Sequence, residues 1–486
     1  MSDTTTSAAA SAANKKAIGL AVSAAVGGFL FGFDSSVING AVAAVENKFN
    51  ISAATTGFVV AIALLGCALG AWAGGRWADK WGRIKVMVSG AIIFFVSSLL
   101  SAFAWNAVSL GVFRFLAGIG IGIASVIAPA YIAEIAPARM RGRLGSLQQL
   151  AITVGIFAAL LSDQLFAHNA GAVGEGVPIA AGEILGWPAW RWMFLVCIIP
   201  AAVYGILALR MPESPRFLVA NGKSAEAKSV LASVLGPDED VDQRLADIEN
   251  TIESDKALAA EGNVLKETRP GKKGFLGLRK IVWIGIALSV FQQFVGINVI
   301  FYYSTILWKA VGFGEAQAFT VSTLTSITNV VVTFIAIALV DKIGRKPLLL
   351  IGSAGMAVTL GMMALAFTHS TGTGDNITLG GAWGVTALIC ANLFVVFFGA
   401  TWGPVVWVLL GEMFPNRIRA AAIGLAAAFQ WVANFLITVT FPPMLSAWGA
   451  SVPNLLYAIF AALSFVFVLF MVRETKGKQL EEMEEH

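Results

Sequence analysis

Two short cassettes recur in this chain about half its length apart, each at the end of an apolar run long enough to be a helix. The first is Asp79-Lys80-Trp81-Gly82-Arg83, which returns as Asp341-Lys342-Ile343-Gly344-Arg345. The second is Glu134-Ile135-Ala136-Pro137-Ala138-Arg139-Met140-Arg141, which returns as Glu412-Met413-Phe414-Pro415-Asn416-Arg417-Ile418-Arg419. Two matches in the same order, at nearly equal offsets, describe a chain made of two related halves that lie in the same direction.

Composition says what the halves cross. Of 486 residues, 57% are hydrophobic and 13% charged, against about 25% charged in soluble domains. A spanning helix needs about 20 mostly apolar residues. That rule predicts twelve, near 17–40, 55–78, 84–104, 108–133, 144–167, 190–211, 281–308, 317–340, 347–368, 383–411, 420–441 and 450–472. The expected fold is therefore an all-α membrane protein with six helices in each half, 17–211 and 281–472. Residues 1–16 are polar and Ser/Thr/Ala-rich, and are expected to be a disordered tail. The charge-dense stretch 212–280 reads as a linker with short surface helices, either a solvated connector or a latch on one side of the membrane. Residues 473–486 form a short tail. Lys15 and Lys16 before an apolar run resemble a signal peptide, but the run exceeds an h-region of about 7–15 residues.

Basic residues orient the spans. Loops after spans 2, 4, 8 and 10 carry Lys80/Arg83/Lys85, Arg139/Arg141/Arg143, Lys342/Arg345/Lys346 and Arg417/Arg419, whereas the loops near 168–189, 369–382 and 442–450 contain no Lys or Arg. The first set, and with it both termini, is expected in the cytoplasm of a cell held by its inner or plasma membrane. Lys48, Lys309 and Arg191 are the main exceptions. The basic loops are short and scattered, which excludes a nucleic-acid surface. Cys67, Cys197 and Cys390 lie far apart in apolar runs, without metal or disulfide spacing. His168, His369 and His486 lie in loops or the tail. No metal or cofactor is expected, and lipid is the solvent of the surface.

Glycines four apart, at 66, 70 and 74 in span 2 and at 118 and 122 in span 4, let helix backbones approach closely. The run Gly118-Ile119-Gly120-Ile121-Gly122 has no strand before it and is not a dinucleotide loop.

Ionisable groups inside the spans are costly unless paired or hydrated. Asp34 sits well inside span 1 and Arg114 near the start of span 4. Their opposite signs predict a pair, either a permanent brace or a proton switch. Burial raises a carboxyl pKa and a cation lowers it, so a group between the two influences can exchange a proton as its surroundings change.

A third set is polar and uncharged. It comprises Gln148 and Gln149 in span 5, Gln292, Gln293 and Asn298 in span 7, Trp402 in span 10, and Gln430 and Asn434 one turn apart in span 11. Amides donate and accept, as sugar hydroxyls do, and an indole can cover the C–H face of a pyranose. Each amide alone could equally bridge two helices; as a set they suit a neutral polyhydroxy solute. Gln292, Gln293 and Asn298 share no face of a regular helix, which predicts a break at Gly296. Trp402-Gly403-Pro404 invites another. The cassettes supply Asp79, Arg83, Glu134, Arg139 and Arg143 from one half and Asp341, Arg345, Glu412 and Arg417 from the other, expected to pair across the halves as a cytoplasmic gate that is shut in the outward-facing state and breaks on inward opening.

With these motifs in view, the chain resembles the sugar porter family of the major facilitator superfamily over about residues 17–480, most like its bacterial glucose/proton symporters. The resemblance rests on Gly75 to Arg83, Pro129 to Glu134, Pro212-Glu213-Ser214-Pro215-Arg216, Gln292 to Asn298 and Trp402 to Arg419. It implies the major facilitator fold and sugar binding by Gln149, Gln292, Gln293, Asn298, Asn329, Trp402, Gln430 and Asn434. It implies an outer gate at Tyr302 and proton coupling through Asp34 and Arg114. The family's Pro-Glu-Thr-Lys-Gly appears here as Arg473-Glu474-Thr475-Lys476-Gly477. The implied function is import of a hexose, with D-glucose first, together with a proton, by alternating access. Xylose, myo-inositol and passive facilitation are the alternatives. A sensor would need a signalling extension, and the tail after Arg473 is short. No nucleophile–base set or paired carboxylates suggest an enzyme. One chain already holds a complete pathway, so a monomer is expected.

Overall fold

The structure, a computed structural model, describes residues 2–137, 140–236, 240–260, 278–371, 379–414 and 419–475. Among the described residues, twelve helices or helix pairs are long and apolar enough to cross a membrane. The first six are α1 (Ser2–Phe49), α2 (Ala53–Trp81), α3 (Arg83–Ala102), α4 (Ala107–Ile135), α5 (Arg141–Asn169) and the pair α6 (Ala189–Leu195) and α7 (Ile198–Arg210). A two-stranded hairpin, β1 (Glu183–Ile184) with β2 (Trp187–Pro188), precedes α6. Three short helices follow: α8 (Pro215–Ala220), α9 (Ser224–Val234) and α10 (Val241–Ala260). The second set begins with α11 (Lys280–Phe294), α12 (Ile297–Tyr302) and α13 (Ser304–Ala310). It continues with α14 (Glu315–Ile343), α15 (Arg345–Thr368), α16 (Gly381–Phe397), α17 (Gly403–Met413), α18 (Arg419–Trp448) and α19 (Ser451–Met471).

The polar N-terminal segment corrects the expectation of a disordered tail ending at residue 16: α1 begins at Ser2. Ala8, Ala9, Ala10, Ala12 and Ala13 are strong helix formers, and a helix already nucleated by the span extends at low cost. Ala17 is fully buried in a small apolar cluster with Leu231, Val234, Leu235 and Ile248, so the foot of α1 docks on α9 and α10.

The glycine rows seat α2 on α4. A Cβ at Gly118 would run into the Ala63 carbonyl, one at Gly122 into that of Cys67, and ones at Gly66 and Gly70 into those of Phe115 and Ile119. Gly32 and Gly155 play the same part between α1 and α5. Gly118→Leu should therefore force these backbones apart, at a cost of about 3 kcal/mol. Gly111 has open space around it, and Gly111→Leu serves as the control. Thermal unfolding in detergent, followed by size-exclusion chromatography, should show early aggregation of the first variant alone.

Arg191, an exception to the charge rule, caps a helix instead of marking a side. Its guanidinium donates to the carbonyls of Ala102 at 2.6 Å and Ala104 at 3.1 Å, at the end of α3.

Candidate functional site

Span 7 is broken where expected. α11 ends at Phe294, Gly296 takes φ +81°, and α12 restarts at Ile297. That left-handed backbone favours glycine, and a Cβ there would also strike the Tyr457 ring. The break turns Asn298 back toward the amides of α11. Asn298 Nδ2 donates to Gln293 Oε1 at 2.6 Å, and Gln293 Nε2 to Gln292 Oε1 at 3.4 Å. Gln430 Nε2, from α18, donates to the same Gln292 oxygen at 2.9 Å. Gln292 Nε2 then donates to the carbonyls of Trp402 at 2.9 Å and Gly403 at 3.2 Å. The second break is a π-helical turn, Phe398–Trp402, before Gly403-Pro404 opens α17. Four amides and two carbonyls thus form one network between α11, α12, α17 and α18. Gln430 Oε1 has no partner in it, which leaves an acceptor for a hydroxyl donor.

Other members of the set lie around this network. Asn434, one turn beyond Gln430, donates to the Tyr302 hydroxyl at 3.5 Å and accepts from Thr438 at 3.1 Å. Asn329 is buried on α14, and its Oδ1 would lie 3.2 Å from a Cβ at Gly399 in the π turn. Gln148 packs on Gly28 of α1, leaving half-buried Gln149 on the next helical position.

Trp402 departs from expectation. Its indole is wholly enclosed, and Nε1 donates to Leu349 O at 3.0 Å and Ser353 Oγ at 3.1 Å on α15. The ring locks α15 to the π turn and has no open face for a ligand. Trp431, which residue spacing did not single out, meets Phe31 of α1 edge to face at 5.2 Å, across the two halves. Its one signal in the sequence is that it follows Gln430.

Asp34 and Arg114 do form a pair, with Nη1–Oδ1 at 2.6 Å and both side chains buried. Beside the pair lies a cavity bordered by Phe31, Asp34, Ser35, Cys67, Arg114 and Tyr302. Its volume, ≈ 10 Å³ for the centre of a water-sized sphere, is about that of one water. Tyr302, the last residue of α12, therefore borders the ion pair on one side and bonds the amide set through Asn434 on the other.

Further along, at the end remote from the cassettes, the halves are bonded together. Thr305 N donates to Asn39 Oδ1 at 3.0 Å, and Thr305 Oγ1 donates to the Asn39 carbonyl at 3.2 Å. Gln164 donates to Thr320 at 3.0 Å, and Thr323 to the Leu160 carbonyl at 3.2 Å.

Residues 20–486 match the family described as sugar (and other) transporter. The chain belongs to that family. It is 50% identical over 460 residues to a glucose transport protein of Synechocystis sp., covering 95% of each chain. It is 35% identical over 493 residues to the D-xylose-proton symporter of Escherichia coli, covering 95% of this chain and 94% of that one. Among solved structures, the partially occluded inward-open form of the E. coli xylose transporter superposes with a TM-score of 0.79 at 32% identity, covering 95% of this chain and 99% of that one. This is a multi-pass membrane protein of the major facilitator fold.

The transporter's cassettes hold ion pairs within each half in this conformation. Arg83 binds Glu134, with Nη2–Oε1 at 2.9 Å, and Asp79 at 3.2 Å; Arg345 binds Glu412 at 2.7 Å. Each pair stays inside its own half. Arg139 and Arg417 lie outside the described residues, as do the side chains of Arg143 and Asp341. A third repeated element completes each cluster. Glu213 accepts from the backbone N–H groups of Arg83 at 2.9 Å and Ile84 at 3.2 Å, and Ser214 Oγ donates to Glu134. In the second half, Glu474 accepts from Arg345 N at 3.0 Å and Lys346 N at 2.9 Å, and Thr475 donates to Glu412 at 2.6 Å. Two acids per half already neutralise the arginine and cap the helix that follows. Gly82 (φ +95°) and Gly344 (φ +104°) make room for them, since a Cβ at either would crowd the capping carboxylate.

Glu213 and Glu474 were legible as a pair in principle. Glu-Ser and Glu-Thr recur at nearly the offset that separates Arg83 from Arg345, but a match of two residues is weak until the contacts are seen. Glu474→Ala should cost about 2 kcal/mol through the lost cap. Glu474→Gln should recover part of that loss in the same thermal melt, because its amide oxygen still accepts.

Proposed function

We propose that this transporter imports a hexose with a proton, D-glucose being the substrate to test first. The observation that carries the reading is the position of Tyr302, which lines the cavity beside the buried Asp34–Arg114 pair and bonds Asn434, one turn from Gln430 of the amide network. Sugar bound by Gln149, Gln292, Gln293, Asn298, Gln430 and Asn434 would meet that tyrosine directly. Trp431, rather than Trp402, is the indole we assign to the apolar face of the ring.

The basic loops support an orientation with both termini and the cassettes in the cytoplasm, in the cell's inner or plasma membrane. The bonded end at Asn39 and Thr305 is then the outer side, and the conformation is inward-facing with Tyr302 as part of the closed outer gate. The halves 17–211 and 281–472 rock about the site, while 212–280 links them. One chain is the working unit.

The test is labelled-glucose uptake into vesicles holding the purified protein, under an imposed inward proton gradient, with and without an uncoupler. Uptake that overshoots equilibrium and collapses with the uncoupler is the expected result. Equilibration without overshoot would make the protein a facilitator. No glucose entry would turn the same assay to xylose and myo-inositol, the first favoured by the 35% identity to a xylose symporter.

A further inference from the structure

We propose that Asp163 is a second proton-binding carboxyl, which takes a proton from the outer water when the outer side closes and returns it there when that side opens. The proposal rests on the alternating-access reading above, though one of its two tests needs no transport.

Asp163 lies in α5, one residue before Gln164, and is 0% exposed. Its Oδ2 accepts from the Gly40 N–H at 3.1 Å, and its Oδ1 has no hydrogen-bond partner among the described residues. The carboxyl presses on α1 closely enough that a Cβ at Gly40 would lie 2.6 Å from its Cγ. The ionisable groups on the elements packed around it are few. Toward this end α1 brings Asp34, Glu46 and Lys48, α4 brings Arg114, α5 itself brings His168, α6 brings Arg191 with Cys197 just beyond, and α14 brings Glu315. Arg114 is bonded to Asp34, and Arg191 to the end of α3. No cation forms an ion pair with Asp163 among the described residues. A bare carboxylate in such a place is far costlier than the neutral acid, so the closed outer side holds the acid with its proton.

The neighbourhood ties that proton to the gate. Gly40 follows Asn39, which holds Thr305 of the other half. Leu160 and Gln164, flanking Asp163 on α5, hold Thr323 and Thr320. Opening the outer side breaks these bonds and admits water on both faces of the carboxyl. Ser36 Oγ, Asn39 Nδ2 and Ser304 Oγ also lack partners in the closed arrangement, and water would satisfy them too. Hydrated, Asp163 can ionise, and the ionised form resists reclosure. Outer acid therefore favours closing. Asp163 is buried in the state we assign as inward-facing, so its proton is not delivered inside and adds nothing to the transport stoichiometry.

Asp34→Asn removes the pH dependence of the transported proton, and comparison within that background cancels its own effect on exchange. In vesicles at equal pH on both sides, exchange of labelled glucose by this variant should slow as pH rises, by up to about tenfold per unit. In Asp34→Asn with Asp163→Asn it should be independent of pH. Infrared difference spectra of the purified protein should show a dry protonated-carboxyl band in Asp34→Asn that disappears at high pH and is missing from Asp34→Asn with Asp163→Asn. An Asp34→Asn exchange rate that ignores pH, or a double variant that keeps the dependence, would overturn the proposal. So would a carboxyl band that survives in the double variant. Should Asp163→Asn fail to fold, absence of the band from Asp34→Asn alone is enough to reject it.

Discussion

Asp34→Asn should abolish uphill uptake while leaving exchange of labelled sugar in place. One proton crossing ~100 mV supplies about 2.3 kcal/mol, and at about 1.4 kcal/mol per tenfold this sustains roughly 50-fold accumulation. The substitution should bring that ratio to about one. The geometry explains why exchange survives. Asn keeps an oxygen where Arg114 now finds Asp34 Oδ1 at 2.6 Å, so the shape of the pair is kept, and only its ability to bind and release a proton is lost. The opposite change is harsher. Arg114→Ala leaves Asp34 buried without its cation, and a stranded charge costs about 3–5 kcal/mol, so that variant should lose stability as well as coupling. Accumulation ratios measured with and without an uncoupler decide the matter. Normal accumulation by Asp34→Asn would remove Asp34 from the coupling mechanism.

Gln292→Leu should raise the half-saturating glucose concentration about 100-fold. Gln292 is the hub of the amide network. It donates to the carbonyls of Trp402 and Gly403 and accepts from Gln293 and Gln430. A leucine fills the space but leaves two carbonyls and two amide N–H groups with fewer partners, at about 1–3 kcal/mol for each group left unmet. Gln430, freed from its anchor, no longer presents Oε1 in a fixed direction. Gln430→Leu removes one ligand contact and leaves the rest of the network in place, so its expected effect is nearer tenfold. Equilibrium binding to purified protein separates this from a transport defect. Equal losses for the two variants would mean that Gln292 acts only as one contact among several.

The sequence by itself determined the number of spans, because about 20 apolar residues without charge have no other place to go. It determined the two-half plan through the cassettes, and the break at Gly296 through amides that no regular helix could bring together. It also picked out Asp34 and Arg114, since opposite charges inside spans rarely stay apart. Tertiary structure decided what depends on direction. Trp402 and Trp431 are alike in composition and setting, yet one indole is bonded to α15 and the other meets Phe31 across the halves. Nothing local to either tryptophan encodes which way the ring turns. The cassette charges allowed pairing within or across halves. In this conformation Glu213 and Glu474, each fixed to two backbone N–H groups, accompany pairing within each half. Nothing in the sequence sets Asp163 apart from any other polar residue near the end of a span. Only the packing of α5 on α1 encloses it completely, because burial is set by neighbours remote in the chain.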